Sequence, residues 1–306
     1  MSTLPNSVSI VEVGPRDGLQ NEPLAIALQD KVDLIHGLAD AGLQRIEAGS
    51  FVSPKWVPQM ADSSAVFASL TQQLDTRYSA LTPNMKGLEA ALEAGVQEVA
   101  VFAAVSESFS QKNINCSISE SIERFKPVVN HALENRINVR AYISCVVGCP
   151  YEGAIAPQAV ADISELLIEL GCYEVSLGDT IGIGTAGSIA TLLDVVANRI
   201  EVDKLAIHCH DTYGQALSNI YASLQYGIQT IDSSVAGLGG CPYAPGASGN
   251  VATEDLVYML NGLDIECGVD LDKLVTVGQL ISLSLNRTNQ SKVAQAIIAK
   301  TNNSSN

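Results

Sequence analysis

The sequence is short of positive charge. Its 17 lysines and arginines stand against 33 aspartates and glutamates, and the formal net charge is −16. No run of basic residues offsets this balance. The composition therefore argues against nucleic acid or an anionic membrane surface as a partner. An anionic substrate would need local positive charge, from a metal ion or from single residues such as Arg16.

Targeting and membrane segments are also lacking. Residues 1–6 have neither a basic start nor an apolar run, and no apolar stretch is long enough to span a bilayer. The seven cysteines, an odd number, are scattered without the density of a disulfide scaffold. They are typical of reduced thiols in an intracellular protein, so we expect a cytoplasmic location.

No linker, repeat or low-complexity segment divides the 306 residues, of which 47% are hydrophobic. This is enough apolar material for a large core. We therefore predict one catalytic domain over residues 1–300, followed by a polar, disordered tail at 301–306.

Short apolar or β-branched runs alternate with helical patterns along the chain. Eight runs predict strands: Val8–Val13, Arg45–Ala48, Arg77–Leu81, Glu98–Ala103, Val139–Cys145, Tyr173–Leu177, Leu205–His208 and Thr230–Val235. Between them lie helical patterns at Gln29–Ala41, Ser63–Leu74, Asn84–Ala94, Ser117–Asn135, Ala156–Leu170, Gly187–Ile200 and Gln215–Tyr226. Alternation of this kind favours parallel βαβ units.

Two architectures share this alternation, the doubly wound sheet and the closed barrel. The first turn lacks the G-x-G-x-x-G loop that a doubly wound dinucleotide-binding sheet would carry, and eight strands close a barrel. The sequence therefore predicts a (β/α)₈ TIM barrel. Thr253–Leu260 and Leu271–Ala299 predict additional C-terminal helices, packed beside the barrel or across a dimer.

Polar and charged residues gather where the predicted strands end. They are Arg16 and Asp17 after the first strand, Glu47 in the second, Asp179 after the sixth, and His208 and His210 at the end of the seventh. Active sites of TIM barrels lie at the carboxyl ends of the strands. We therefore expect all these side chains to face one mouth of the barrel.

Four of the residues suit a metal site. His208 and His210 are two apart on a strand, so both imidazoles point the same way. With Asp17 and the amide of Asn250 they form a mixed nitrogen and oxygen set that leaves positions open for substrate or water. This set predicts Mg²⁺ or Mn²⁺ rather than structural Zn²⁺. Asn250 follows a glycine-rich loop, residues 237–249, which is suited to close approach to a ligand or to movement.

These motifs together resemble the 3-hydroxy-3-methylglutaryl-CoA lyase family. The resemblance covers Val11–Glu22, Glu47, Ser176–Thr180, His208-Cys209-His210 and Gly239-Gly240-Cys241-Pro242-Tyr243 through Asp255, and it extends nearly end to end with Lys112–Ser117, Tyr142–Gly153 and Leu285–Ala296. The Arg-Asp pair, the strand-two glutamate and His-x-His are shared with a wider superfamily of metal-dependent lyases and acyl-CoA condensing enzymes. The Gly-Gly-Cys-Pro-Tyr segment is the narrower signal.

The resemblance implies a retro-Claisen cleavage of 3-hydroxy-3-methylglutaryl-CoA to acetoacetate and acetyl-CoA, as in leucine degradation and ketone-body metabolism. Arg16 would stabilise charge on the thioester oxygen, and Cys241 would protonate the enolate carbon. His208, Asp17 and Asp179 are candidates for the base, with His208 or Asp179 favoured through a short proton relay. Glu47 would orient Arg16 or the metal sphere.

Several alternatives stay open. Cys241 could be only a small loop residue, and Pro23 stands where some family members have a lysine that could contact the CoA phosphates. The substrate could carry a longer C3 branch, such as isohexenyl. The chain could instead be a condensing synthase of the same superfamily, or an inert metal-binding barrel. We expect an acyl-CoA as the small-molecule partner and a homodimer or a higher homo-oligomer.

Overall fold

Eight parallel strands close into a barrel. In a computed structural model, residues 4–71, 73–240 and 249–304 are described, with 302–304 by backbone alone. The strands are β1 (Ser9–Glu12), β2 (Arg45–Ser50), β3 (Arg77–Leu81), β4 (Glu98–Ala104), β5 (Asn138–Ser144), β6 (Glu174–Asp179), β7 (Leu205–Cys209) and β8 (Thr230–Ser233). Around the ring they follow the order β1-β8-β7-β6-β5-β4-β3-β2. The predicted (β/α)₈ barrel is confirmed.

Helices surround the barrel and follow the strands along the chain. They are α1 (Leu28–Asp40), α2 (Ser63–Ser69), α3 (Met85–Glu93), α4 (Glu107–Ile114), α5 (Ile118–Glu134), α6 (Pro157–Leu170), α7 (Ala186–Val196), α8 (Ala216–Gln225), α9 (Thr253–Gly262), α10 (Leu271–Ser284) and α11 (Lys292–Ser304). Local chemistry sets several ends. Ser117 and Glu120 form a capping box at the start of α5, and α6 ends at Gly171 in a left-handed conformation.

The strands are buried on both faces, which explains their nearly continuous apolar composition. Val99 and Val101 in β4, and Val175 and Leu177 in β6, are completely buried. Parallel strands covered by helices outside and by side chains inside are expected to look this way. The barrel interior also holds charged residues, and these bear on the site described below.

Several local features differ from the sequence-based expectations. Helix α4, in the loop after β4, and a short hairpin in the loop after β5, Gly148–Cys149 with Gly153–Ala154, were not predicted, since neither segment is long enough to show a clear periodicity. Helix α2 ends at Ser69, because Leu70 is already extended. Helix α11 continues to Ser304, so residues 301–304 extend a helix where the sequence predicted a disordered tail. Within the described residues, no helix has the length and apolar character needed to cross a membrane.

Candidate active site

The loop after β1 forms a single turn of π-helix, Gly14–Gly18, and this turn carries Arg16 and Asp17. The amides of Asp17 and Gly18 donate to the carbonyl of Val13 over 2.7 and 3.2 Å. A Cβ at Gly18 would lie 2.7 Å from Cβ of Leu238, so this position needs glycine for close packing. Single π-turns are frequent at functional sites.

Arg16 is held between two carboxylates. Its Nε donates to Glu47 Oε2 and its Nη1 to Asp17 Oδ1, each over 2.6 Å. Burial alone would lower the pKa of Arg16, but the charges of Glu47 and Asp17 outweigh burial and raise that pKa above its usual value. Among the described residues, none accepts a hydrogen bond from Nη2. A permanently charged, oriented guanidinium therefore keeps one arm for a ligand in the cavity that Arg16 lines.

Three side chains converge at the carboxyl ends of β1 and β7. The ligand atoms of Asp17, His208 and His210 all lie within 4.8 Å of one another. Asn250 lies beside them, since its Nδ2 donates to Asp17 Oδ2 over 2.9 Å and its backbone forms a bridge with His210. We call these four residues the metal cluster. These residues lie far apart in the sequence, and closure of the barrel brings them together.

The donor atoms of the metal cluster fit a cation. Asn250 Oδ1 and His210 Nδ1 are buried, and neither has a hydrogen-bond partner in the part of the chain that the structure describes. A buried acceptor without a partner costs free energy, on the order of 1–3 kcal/mol. A bound divalent ion would satisfy such lone pairs, because its usual ligands include carboxylate oxygens, imidazole nitrogens and amide oxygens.

The protonation states also suit metal binding. Burial would raise the pKa of Asp17, but Arg16 and then the two histidines outweigh it and lower this pKa to about 2. Burial, together with repulsion from His208, lowers the pKa of His210 to about 4. The negative charge of Asp17 raises this pKa but does not outweigh burial. At neutral pH the carboxylate is therefore charged and the His210 imidazole is neutral, which are the forms that bind metal ions.

His208 is oriented by Asp232, a residue that the sequence analysis missed. Its Nδ1 lies 3.2 Å from Asp232 Oδ2, which leaves Nε2 for the metal cluster. Asp232 also accepts hydrogen bonds from Ser176 and from both terminal nitrogens of Arg140. The sequence feature that could have indicated this contact is a charged residue within each of two buried strands. These residues are Asp232 in Thr230–Ser233 and Arg140 in Asn138–Ser144.

Asp179 is a described candidate whose side chain the structure turns away from the cavity. Its neighbours Gly178 and Thr180 line the cavity, whereas its own side chain is fully buried behind the strand. There Oδ2 accepts the amide of Gly184 over 2.8 Å, and burial raises the pKa of Asp179. The reason is strand alternation, which sends consecutive side chains to opposite faces. Cys241 lies outside the described residues.

The cavity at this mouth has a volume of about 920 Å³. Arg16, Asp17, His208 and His210 line one part of it. Tyr142 also lines the cavity, edge-on to His208 at 6.2 Å between ring centroids, and its hydroxyl has no partner among the described residues. The cavity can hold a ligand that extends well beyond the few atoms within reach of the metal cluster.

The family model described as HMGL-like matches residues 7–281. The chain belongs to the HMGL-like family. The predicted resemblance to 3-hydroxy-3-methylglutaryl-CoA lyases is thereby confirmed.

Individual relatives agree over almost the whole chain. A Pseudomonas aeruginosa protein named 3-hydroxy-3-isohexenylglutaryl-CoA/hydroxymethylglutaryl-CoA lyase is 60% identical over 297 residues, which are 97% of this chain and 99% of that protein. A crystal structure of hydroxymethylglutaryl-CoA lyase from P. aeruginosa superposes with a TM-score of 0.95, at 60% identity over 97% of this chain and 99% of that one. An HMG-CoA lyase from Acinetobacter baumannii, solved with coenzyme A and 3-methylmalate, has a TM-score of 0.91 at 35% identity over 97% of both chains.

Proposed function

We propose that this chain cleaves 3-hydroxy-3-methylglutaryl-CoA between C2 and C3 into acetoacetate and acetyl-CoA, with a divalent cation, Mg²⁺ or Mn²⁺, bound by Asp17, His208, His210 and Asn250. The observation that carries the proposal is the pairing of this metal cluster with Arg16 in one cavity. When bound, the ion would supply Lewis acidity to the C3 hydroxyl and the distal carboxylate.

In the reaction the hydroxyl loses its proton and its electron pair forms the C3 carbonyl. The C2–C3 bond breaks, and its electron pair moves into the thioester as an enolate. Nη2 of Arg16 is suited to donate to the thioester oxygen, where negative charge grows. Because Glu47 and Asp17 already fix the guanidinium, little reorganisation is needed as that charge develops.

Of the three candidates for the base, Asp17 is the one that we favour. Asp179 is turned away from the cavity. His208 has Nδ1 at Asp232 and would use Nε2 for the ion, so no ring nitrogen is left to take a proton, whereas a carboxylate that binds the ion keeps further lone pairs. The carboxylate of Asp17 lines the cavity. Its low pKa makes it a weak base, so the C3 hydroxyl must be strongly acidified before it can lose a proton.

The enolate carbon must then receive a proton, and we propose that the Cys241 thiol provides it. Gly239 and Gly240 precede Cys241, and Gly239 lies beside Asn250 of the metal cluster, since a Cβ at Gly239 would lie 2.8 Å from Asn250 Nδ2. The loop therefore leaves the barrel at the edge of the cavity. Cys241→Ser should retain metal binding but lose most cleavage, and substrate should protect the wild-type thiol from alkylation.

The CoA moiety would extend from the thioester toward the rim. Lys112 and Arg124 are exposed and line the outer part of the cavity, where they can meet phosphate groups. In a chain with a net charge of −16, such single cations are the local positive charge that an anionic CoA ester requires.

The proposal is tested with the purified, Mg²⁺-loaded chain and 3-hydroxy-3-methylglutaryl-CoA. Acetoacetate and acetyl-CoA should form in equal amounts, and a chelator should stop the reaction until metal is restored. Absence of both products from metal-loaded protein would contradict the proposal. Release of free CoA from acetyl-CoA plus a keto acid would instead indicate a synthase, and bound metal without turnover of any acyl-CoA would indicate an inert barrel.

A further inference from the structure

Glu12, the last residue of β1, is a completely buried carboxylate that the proposed reaction does not use. Other buried carboxylates of the barrel each pair with an arginine, namely Glu47, Glu98, Glu174 and Asp232. Among the described residues, no cation forms an ion pair with Glu12. Burial raises the pKa of Glu12 to about 7, and the hydrogen bonds it accepts, which lower this pKa, do not outweigh burial. Burying a carboxylate without a cation is costly, so its oxygens must serve contacts that an apolar side chain cannot make.

The contacts of Glu12 join three segments of the chain. Its Oε1 accepts the backbone amides of Gly14 over 2.8 Å and of Val235 over 2.9 Å. Its Oε2 accepts the hydroxyl of Thr253, the first residue of α9, over 2.6 Å. Gly14 and Val235 begin irregular turns after β1 and β8, where no strand ladder can pair their amides. Glu12 therefore ties the exits of two neighbouring strands to the start of a helix.

The contact with Gly14 fixes the turn that carries Arg16 and Asp17. The amide of Gly14 donates to Glu12, and its carbonyl accepts the amide of Leu19 over 2.9 Å, so the turn is anchored at both ends. A Cβ at Gly14 would lie 2.5 Å from Glu12 Oε1, which shows that the carboxylate packs directly against the turn.

The contact with Thr253 fixes the segment that carries Asn250. The hydroxyl of Thr253 donates to Glu12, and its amide donates to the carbonyl of Ser234 over 3.1 Å. Asn250 lies just before this segment on the chain, and its Nδ2 donates to Asp17 Oδ2 over 2.9 Å. The contacts thus form a closed ring that runs from Glu12 through the turn to Asp17, across to Asn250 and back through Thr253.

We propose that Glu12 is a positioning residue, which holds the turn of Arg16 and Asp17 in place against Asn250 through its three hydrogen bonds. The inference rests on the proposed function, because it needs Asp17 and Asn250 to bind the ion. Glu12 does not line the cavity, so it acts through these residues and touches neither the ion nor the substrate. Metal ligands and catalytic groups need such support, because small displacements of either are costly.

The experiment compares two substitutions in the full chain, with folding checked by thermal melting. Glu12→Leu removes both acceptor oxygens at similar size. It should weaken Mn²⁺ binding by about 10-fold or more in a calorimetric titration, and lower kcat by roughly 10²-fold. Glu12→Gln keeps an oxygen for the two amides, and its amino group can donate to the Thr253 hydroxyl. The Gln variant should therefore stay within a few-fold of wild type in both measurements.

The matched control is Glu98→Leu, the same exchange at a buried glutamate that begins β4, at the opposite end of the barrel. It removes an ion pair with Arg77 and should leave Mn²⁺ affinity and kcat unchanged. Wild-type Mn²⁺ affinity in a folded Glu12→Leu variant would make Glu12 a structural residue only and overturn the inference. A Gln variant as weak as the Leu variant would also overturn it, since charge rather than accepted hydrogen bonds would then matter.

Glu12→Asp decides the matter if Glu12→Leu does not fold. It keeps the carboxylate but is one methylene shorter, which withdraws the oxygens from both amides, so it should bind Mn²⁺ weakly. Wild-type affinity in the Asp variant overturns the inference. A wild-type chain that binds Mn²⁺ without cleaving the substrate overturns the proposed function, and the Mn²⁺ affinities of the variants still decide the role of Glu12. A wild-type chain that does not bind Mn²⁺ overturns both.

Discussion

Asp232→Asn is the substitution whose consequences the structure defines most fully. The carboxylate is buried and receives hydrogen bonds from Arg140 at 2.7 and 3.2 Å and from Ser176 at 2.6 Å, and it lies 3.2 Å from His208 Nδ1. Burial would raise the pKa of Asp232, but Arg140 outweighs it and holds that pKa well below its usual value. Asp232 is therefore ionised in the folded barrel at all ordinary pH values.

The magnitude follows from the charge balance of the buried cluster. Arg140 and Arg45 both pair with Glu174, and Arg140 also pairs with Asp232, so two cations meet two carboxylates. The asparagine leaves one positive charge uncompensated. Breaking a buried pair in this way costs about 3–5 kcal/mol. For a chain of this size, Tm should fall by roughly 5–8 °C.

The assay is a double-mutant cycle measured by chemical denaturation. Arg140→Gln alone leaves an excess negative charge, but the double variant Arg140→Gln/Asp232→Asn leaves Arg45 and Glu174 as a neutral pair. The double variant should therefore be more stable than the sum of the single effects predicts, by about 0.5–3 kcal/mol. Ser176→Ala, which removes one hydrogen bond and no charge, should cost only about 1 kcal/mol. Additive single effects would refute the charge-balance argument.

Three further predictions concern the site and its support. His210→Ala should weaken Mn²⁺ binding by about 10-fold or more in a calorimetric titration, and unchanged affinity would remove His210 from the ligand set. Arg16→Gln should lower kcat by roughly 10²–10³-fold and leave the metal affinity nearly intact. Arg16→Lys should restore little activity, because lysine lacks the planar guanidinium with its paired donors. If kcat of the Gln variant is within a few-fold of wild type, Arg16 serves only as an ion-pair partner. Burial raises the pKa of Glu254 from 4.5 to about 8. The folded state therefore keeps a proton that the unfolded state loses near pH 4.5. The stability that this proton contributes is lost as the pH rises from 4.5 through 8. Glu254→Gln should accordingly flatten the fall of Tm between pH 4.5 and 8, and an unchanged slope would show that Glu254 does not cause it.

The elements of the fold are predictable from the sequence alone. Strand and helix periodicity is a local property, because it depends only on which neighbouring side chains are apolar. All eight predicted strands appear within a few residues of their expected bounds, from Ser9–Glu12 to Thr230–Ser233. The convergence of Asp17, His208 and His210 was also predictable, since these residues lie at or just beyond strand ends, and parallel strands in a barrel end at one mouth.

Which polar residues meet depends on how the barrel closes. Asp232 and Arg140 are 92 residues apart, and nothing local pairs them until the barrel closes. Asp179 is the last residue of β6, yet alternation turns its side chain to the outer face, and a shift of one position would have turned it inward. Side-chain direction and cross-barrel distance are properties of the closed ring, and no stretch of sequence contains them.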